Sequence, residues 1–92
     1  MYFITSVSEK HGFRCVGYVS KLEKAIEIVE DNAGDLNEAG YYPYAVIENI
    51  EEGIYQYDLN PIWFKFNEDM EIYEKSERPS FIPGNHVGFG IG

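Results

Sequence analysis

Cysteine is nearly missing from this chain. Cys15 stands alone, which excludes an internal disulfide and any cysteine-built zinc site. Positive charge is scarce as well: seven Lys+Arg face sixteen Asp+Glu, for a net charge of −9. Between Lys24 and Lys65 there is no Lys, Arg or His at all, while Glu27, Glu30, Asp31, Asp35, Glu38, Glu48, Glu51, Glu52 and Asp58 fall in the same stretch. Phosphate backbones and anionic lipids are held through clustered Lys and Arg, so direct nucleic-acid binding and membrane-surface binding are not expected. No apolar run is long enough to cross a bilayer, and no apolar run follows a positively charged start. The expectation is a cytoplasmic protein. Internal repeats and low-complexity tracts are also lacking.

What the chain does have is enough apolar material for one core. Its 92 residues are 45% hydrophobic and 16% aromatic, which predicts a single domain over 1–92. Residues 20–33 carry Leu22, Ala25, Ile26, Val29 and Ala33 at the three/four spacing of one helical face. Ser20 and Glu23 have capping-box spacing at its start, and Gly34 suits a left-handed stop. Residues 2–8 and 13–19 alternate as strands around a Glu9–Gly12 turn. A second cap at Asp35 predicts a single helical turn through Ala39, closed by Gly40. Residues 44–50 form the strongest strand, its Ala45-Val46-Ile47 run marking a central position. Further strands are expected at 54–57, 62–66, 70–75 and 87–91. The order β-β-α-β-β-β-β-β with short connections predicts an α+β domain, one main helix packed on a mostly antiparallel, strongly twisted sheet. One helix covers only two or three strands, so the second sheet face needs strong curling, aromatics or another copy of the chain. The last of these predicts a homodimer using Tyr55, Tyr57, Trp63 and Tyr73.

The segments Arg14-Cys-Val-Gly-Tyr18, Tyr44-Ala-Val-Ile-Glu48, Gly53-Ile-Tyr55, Trp63-Phe64 and Gly88-Phe-Gly-Ile-Gly92 together resemble a group of short bacterial proteins, some in phage-like or mobile-element contexts. The resemblance spans most of the chain. It implies one intact small domain and carries over no activity and no site residue.

Chemical motifs are few. Cys15 in mid-strand reads as a small hydrophobe rather than a nucleophile paired with His11 or His86. Residues 31–38 suggest a calcium loop but place no glycine sixth, and Tyr42 stands where the bidentate Glu belongs. The glycines of 88–92 have neither a lysine nor a following helix to make a phosphate loop. No catalytic, metal or cofactor-binding residue is therefore expected. Two features remain. Glu30 and Asp31 close the helix, where its dipole disfavours anions, and Asp35 and Glu38 follow at once. Eight tyrosines and Trp63 supply residues favoured at interface hot spots. Glu30, Asp31, Asp35, Glu38, Tyr55, Tyr57, Trp63 and Tyr73 thus make the candidate interaction surface of a small non-enzymatic module with a basic protein partner. Two other classes fit the composition: an inhibitor whose carboxylates mimic nucleic-acid phosphates, and a sugar binder or small enzyme using aromatics and carboxylates.

Overall fold

Alternation along residues 2–8 sends Tyr2, Ile4 and Ser6 to one side and Phe3, Thr5 and Val7 to the other. From Ile4 to Ser8 both sides are buried. The computed structural model describes residues 1–50 and 61–82. Its elements are β1 (Tyr2–Ser8), β2 (Gly12–Val19), α1 (Leu22–Glu30), β3 (Tyr44–Asn49), β4 (Ile62–Asn67) and β5 (Ile72–Ser76). The strands make one sheet in the order β2-β1-β3-β4-β5, and each neighbouring pair is antiparallel. The register of β1 against β2 skips Val16, a bulge in β2. The α+β class read from the sequence is the class observed. The strands expected at 54–57 and 87–91, and with them Tyr55 and Tyr57, lie outside the described residues.

Side chains from the two sides of the sheet form two apolar clusters. Under the helix, Ile4, Ile47 and Ile62 lie side by side across β1, β3 and β4. With Ala45, Phe64, Leu36 and Tyr73 they pack against Ala25 and Val29 of α1. Burying a side chain of this size contributes about 1.5–3 kcal/mol, so this layer supplies most of what holds the helix down. On the opposite face Val7, Val46 and Trp63 are closed over by Ile82, with Phe81 and Tyr44 alongside. The segment after β5 therefore folds back to cover part of the face that was expected to need curling or a second copy. Trp63 is buried there, and its indole N–H has no acceptor among the described residues.

The helix is shorter than its apolar stripe. Chain leaving β2 at Val19 has only Ser20 as a link, so the N-cap falls on Lys21, in extended conformation and without a side-chain cap. Glu23 is then one position too early for a capping box, and the box does not form. At the other end the helix stop falls on Asn32 (φ 49°), two residues before Gly34, which is left-handed as well (φ 64°). Asn32 N–H donates to Val29 O and Ala33 N–H to Ile28 O, each at 3.0 Å, the paired bonds of a Schellman stop. Asparagine tolerates that conformation nearly as well as glycine, which is why the helix ends two residues early.

The helix-on-sheet arrangement makes a sharp contrast between two α1 positions. Val29 is fully buried, and an aspartate there places an unpaired charge in the core. Val29→Asp should leave the chain unfolded at 25 °C by circular dichroism. Glu27→Lys, on the exposed side where Glu27 meets only Lys24 at 3.6 Å, should shift stability by less than about 0.5 kcal/mol. An unchanged melting temperature in Val29→Asp is the result that contradicts the packing.

Candidate functional site

Residues 31–42, between α1 and β3, do not form the helical turn expected at 35–39. Asp35 (φ 56°), Glu38 (φ 52°) and Ala39 (φ 56°) are left-handed instead. Non-glycine residues adopt that conformation at a cost of roughly 1–2 kcal/mol each, so other contacts must impose it. Two asparagines do so. Asn32 Oδ1 accepts from Asn37 N–H at 3.0 Å. Asn37, itself buried, accepts from Gly40 N–H through Oδ1 at 2.7 Å and donates through Nδ2 to Tyr42 O at 3.0 Å. The Tyr73 hydroxyl donates to the same Tyr42 carbonyl at 2.6 Å, tying β5 to the loop. From β1, Ser6 Oγ donates to Leu36 O at 3.0 Å. Burial pushes the Tyr73 phenol far above the ordinary tyrosine range; the Asn37 side chain pulls it back, Asp35 raises it further, and Arg14 lowers it.

Across from this loop stands the β4–β5 turn. Asn67 Oδ1 accepts from Asp69 N–H at 3.0 Å and Met70 N–H at 3.2 Å. Glu71 is left-handed (φ 58°), so β5 begins at Ile72 rather than Met70. The two segments face each other over an open groove of about 510 Å³ whose charged residues are Asp31, Asp35, Glu68 and Glu71, with Phe66 and Asn37 also lining it. All four carboxylates are on exposed residues. Among the described residues none of them is paired with a cation, and no three His, Cys, Asp or Glu side chains are placed to share one metal ion.

Of the residues singled out in the sequence, Asp31 and Asp35 lie in this groove, and Glu30 borders an adjoining hollow with Asp31, Glu74 and Lys75. Glu38 is set apart: its carboxylate pairs with Arg14 of β2, whose guanidinium also lies 5.2 Å from the Tyr42 ring centre. Trp63 and Tyr73 are buried, on opposite faces of the sheet, so neither presents a ring to a partner from this chain as folded. Cys15, read as a buried hydrophobe, is exposed on β2. Glu68 and Glu71 escaped notice because only the antiparallel return of β4 and β5 carries them to the end of the helix. Their one local signal is the polar run Asn67-Glu68-Asp69. Among the described residues no helix is long and apolar enough to cross a membrane.

The double use of the Tyr42 carbonyl can be measured. Tyr73→Phe removes one of its two donors and should cost about 0.5–1.5 kcal/mol at neutral pH in urea unfolding, whereas Asn37→Ala releases the whole loop and should cost about 2–4 kcal/mol. Because the folded phenol binds its proton more tightly than the unfolded one, the stability tied to it is complete below the unfolded value, about pH 10, and declines above. The gap between the protein and Tyr73→Phe should therefore narrow above about pH 10. A gap that widens there contradicts the burial of this hydroxyl.

No family model matches the chain, and searches of curated proteins and of solved structures likewise find no match.

Proposed function

We propose that this chain is a non-enzymatic protein-interaction module that seats a basic segment of a partner protein in the acidic groove. The observation that carries the reading is the meeting of Asp31 and Asp35 with Glu68 and Glu71 over one open cleft, without a cation among the described residues to neutralise them. Like charges lining a groove focus the field, raise the local concentration of cationic partners and speed their association. Phe66 offers an apolar surface for the methylene stems of Lys or Arg. Glu30 and Asp31 sit at the helix C-terminus, with no basic residue in the last turn, so fold stability gives no reason for them. Four carboxylates spread along a cleft suit several cations on a chain segment better than a single ion. One exposed cysteine suits a reducing compartment, and we place the protein in the cytoplasm.

The phosphate-mimic reading uses the same groove and differs in its partner, a protein whose natural ligand is nucleic acid. The partner's nucleic-acid ligand separates the two: it must compete with a mimic for one surface, whereas a basic segment that binds no nucleic acid shows no such competition. The sugar-binding or enzymatic reading finds less support. Four rings meet at a neighbouring cleft, where exposed His11 stacks on exposed Tyr41 (4.6 Å) and half-buried Tyr44 meets Phe81 (5.8 Å). Among the described residues Glu9 is the only carboxylate lining that cleft, so no catalytic pair is assembled there from them.

Charge reversal tests stability and binding together. Glu30→Lys with Asp31→Lys should stabilise the fold by roughly 0.5–2 kcal/mol at low ionic strength, less in high salt. The same variant should lose the binding of an Arg/Ser nonapeptide followed by amide shifts at 31–40 and 67–71. Loss of stability in the variant shows that these carboxylates have structural partners, and unchanged peptide binding removes the groove as the docking site.

A further inference from the structure

The cleft where four rings meet plays no part in the reading above and carries an inference of its own. It holds about 490 Å³, a size that takes a small ligand or a few residues of peptide. Three segments build it: the β1–β2 turn, the loop running into β3, and the stretch after β5. Each is tied down. The His11 backbone N–H donates to the buried Ser8 Oγ at 3.1 Å, and the His11 ring lies on Tyr41 with 23° between their planes. A tyrosine that is 57% exposed is thereby held in one place. Phe81, edge-on to Tyr44, sits in a turn closed from Ile82 N–H to Pro79 O at 3.1 Å and braced from Arg78 Nη1 to Ile82 O at 2.7 Å. Among the described residues neither ring pair stacks on the other, so the cleft presents two separate aromatic faces.

We propose that this cleft binds an uncharged, proline-rich segment of a partner protein in the polyproline II conformation. Such segments dock on aromatic-lined grooves because their conformation is set before binding, which lowers the ordering cost. The conformation has three residues per turn, so every third residue faces the same side, about 9 Å further along. Two ring pairs offer two such residues a surface each. The segment's carbonyls have no partner within it and accept hydrogen bonds from donors set beside the rings. The hydroxyls of Tyr41 and Tyr44 supply donors there, since among the described residues neither donates to an acceptor. Charge selects against other segments. Although the chain carries −9, this lining holds Glu9 and Lys10, one charge of each sign, and so attracts neither a basic nor an acidic occupant. The inference uses none of the carboxylates of the acidic groove and stands or falls apart from it.

The test titrates a capped proline decapeptide into the isotopically labelled protein, with a capped Gly/Ser decapeptide and maltotriose as comparison probes. The proline peptide should move the amides of 8–11, 40–42, 44 and 80–81 and leave those of 67–71 still. The other two probes should move none of them. Tyr41→Ala should weaken the proline peptide about tenfold with the melting temperature kept within about 3 °C. Tyr41→Phe, which keeps the ring and loses the donor, should weaken it only about threefold. Silence of these amides at millimolar proline peptide overturns the proposal. An equal response to the Gly/Ser peptide overturns the conformation it names, and with it the occupant. A response to maltotriose in place of the proline peptide overturns it in favour of a carbohydrate. Undiminished binding by Tyr41→Ala overturns the placement on these rings.

Discussion

The Tyr42 carbonyl is the point on which the polar half of this structure turns. It receives a hydrogen bond from the Asn37 amide and another from the Tyr73 hydroxyl. One donor belongs to the loop after the helix and the other to the last described strand, so a single acceptor joins the middle of the chain to β5. The left-handed residues of the loop persist because these bonds leave the backbone no relaxed alternative. Remove them, and Asp31 and Asp35 lose their position relative to the β4–β5 turn. The acidic groove is thus a consequence of buried hydrogen bonding, although none of its carboxylates takes part in the bonds at Tyr42.

Much of the architecture was legible from residue spacing. The stripe of Ala25 and Val29 marked the helix, and the run Ala45-Val46-Ile47 marked a strand covered on both faces, as β3 is. The equal burial of β1 was hidden, because Thr5, Ser6 and Ser8 are polar and yet buried. Local signals failed where two were in competition. Asn32 and Gly34 both suit a helix stop, and the earlier one prevailed. Asp35 and Glu38 have the spacing of a helix cap, but the anchoring of Asn37 at both ends forces them left-handed. Tyr73 reads as a surface residue of an outer strand; its hydroxyl finds an acceptor inside, so the ring can be buried. Half of the groove could be read in order along the chain. The other half, Glu68 and Glu71, depends on strand pairing that spacing does not encode.

The loop after α1 serves two clefts: Asp31 and Asp35 line the acidic groove, and Ala33, Gly34 and Leu36 line a cleft beside β2. Carboxylates from this loop and the β4–β5 turn gather with no cation paired to them among the described residues. Arg14 pairs with Glu38 of the loop while lining the cleft beside β2. The buried layer of Ile4, Ile47 and Phe64 packs with Leu36 of the same loop.

The skipped residue in β2 has a consequence for how this strand tolerates change. Phe13, Cys15 and Tyr18 share one face although their numbers do not alternate, because Val16 takes up the odd step between Cys15 and Gly17. Everything before Val16 keeps one parity and everything after it keeps the other. Loss of this single codon would straighten the strand without turning any ring to the wrong side. A codon lost two or three places away would exchange the helix side and the outer side for part of the strand. Deletions in this strand therefore keep every side chain on its own side at one position and not at those beside it.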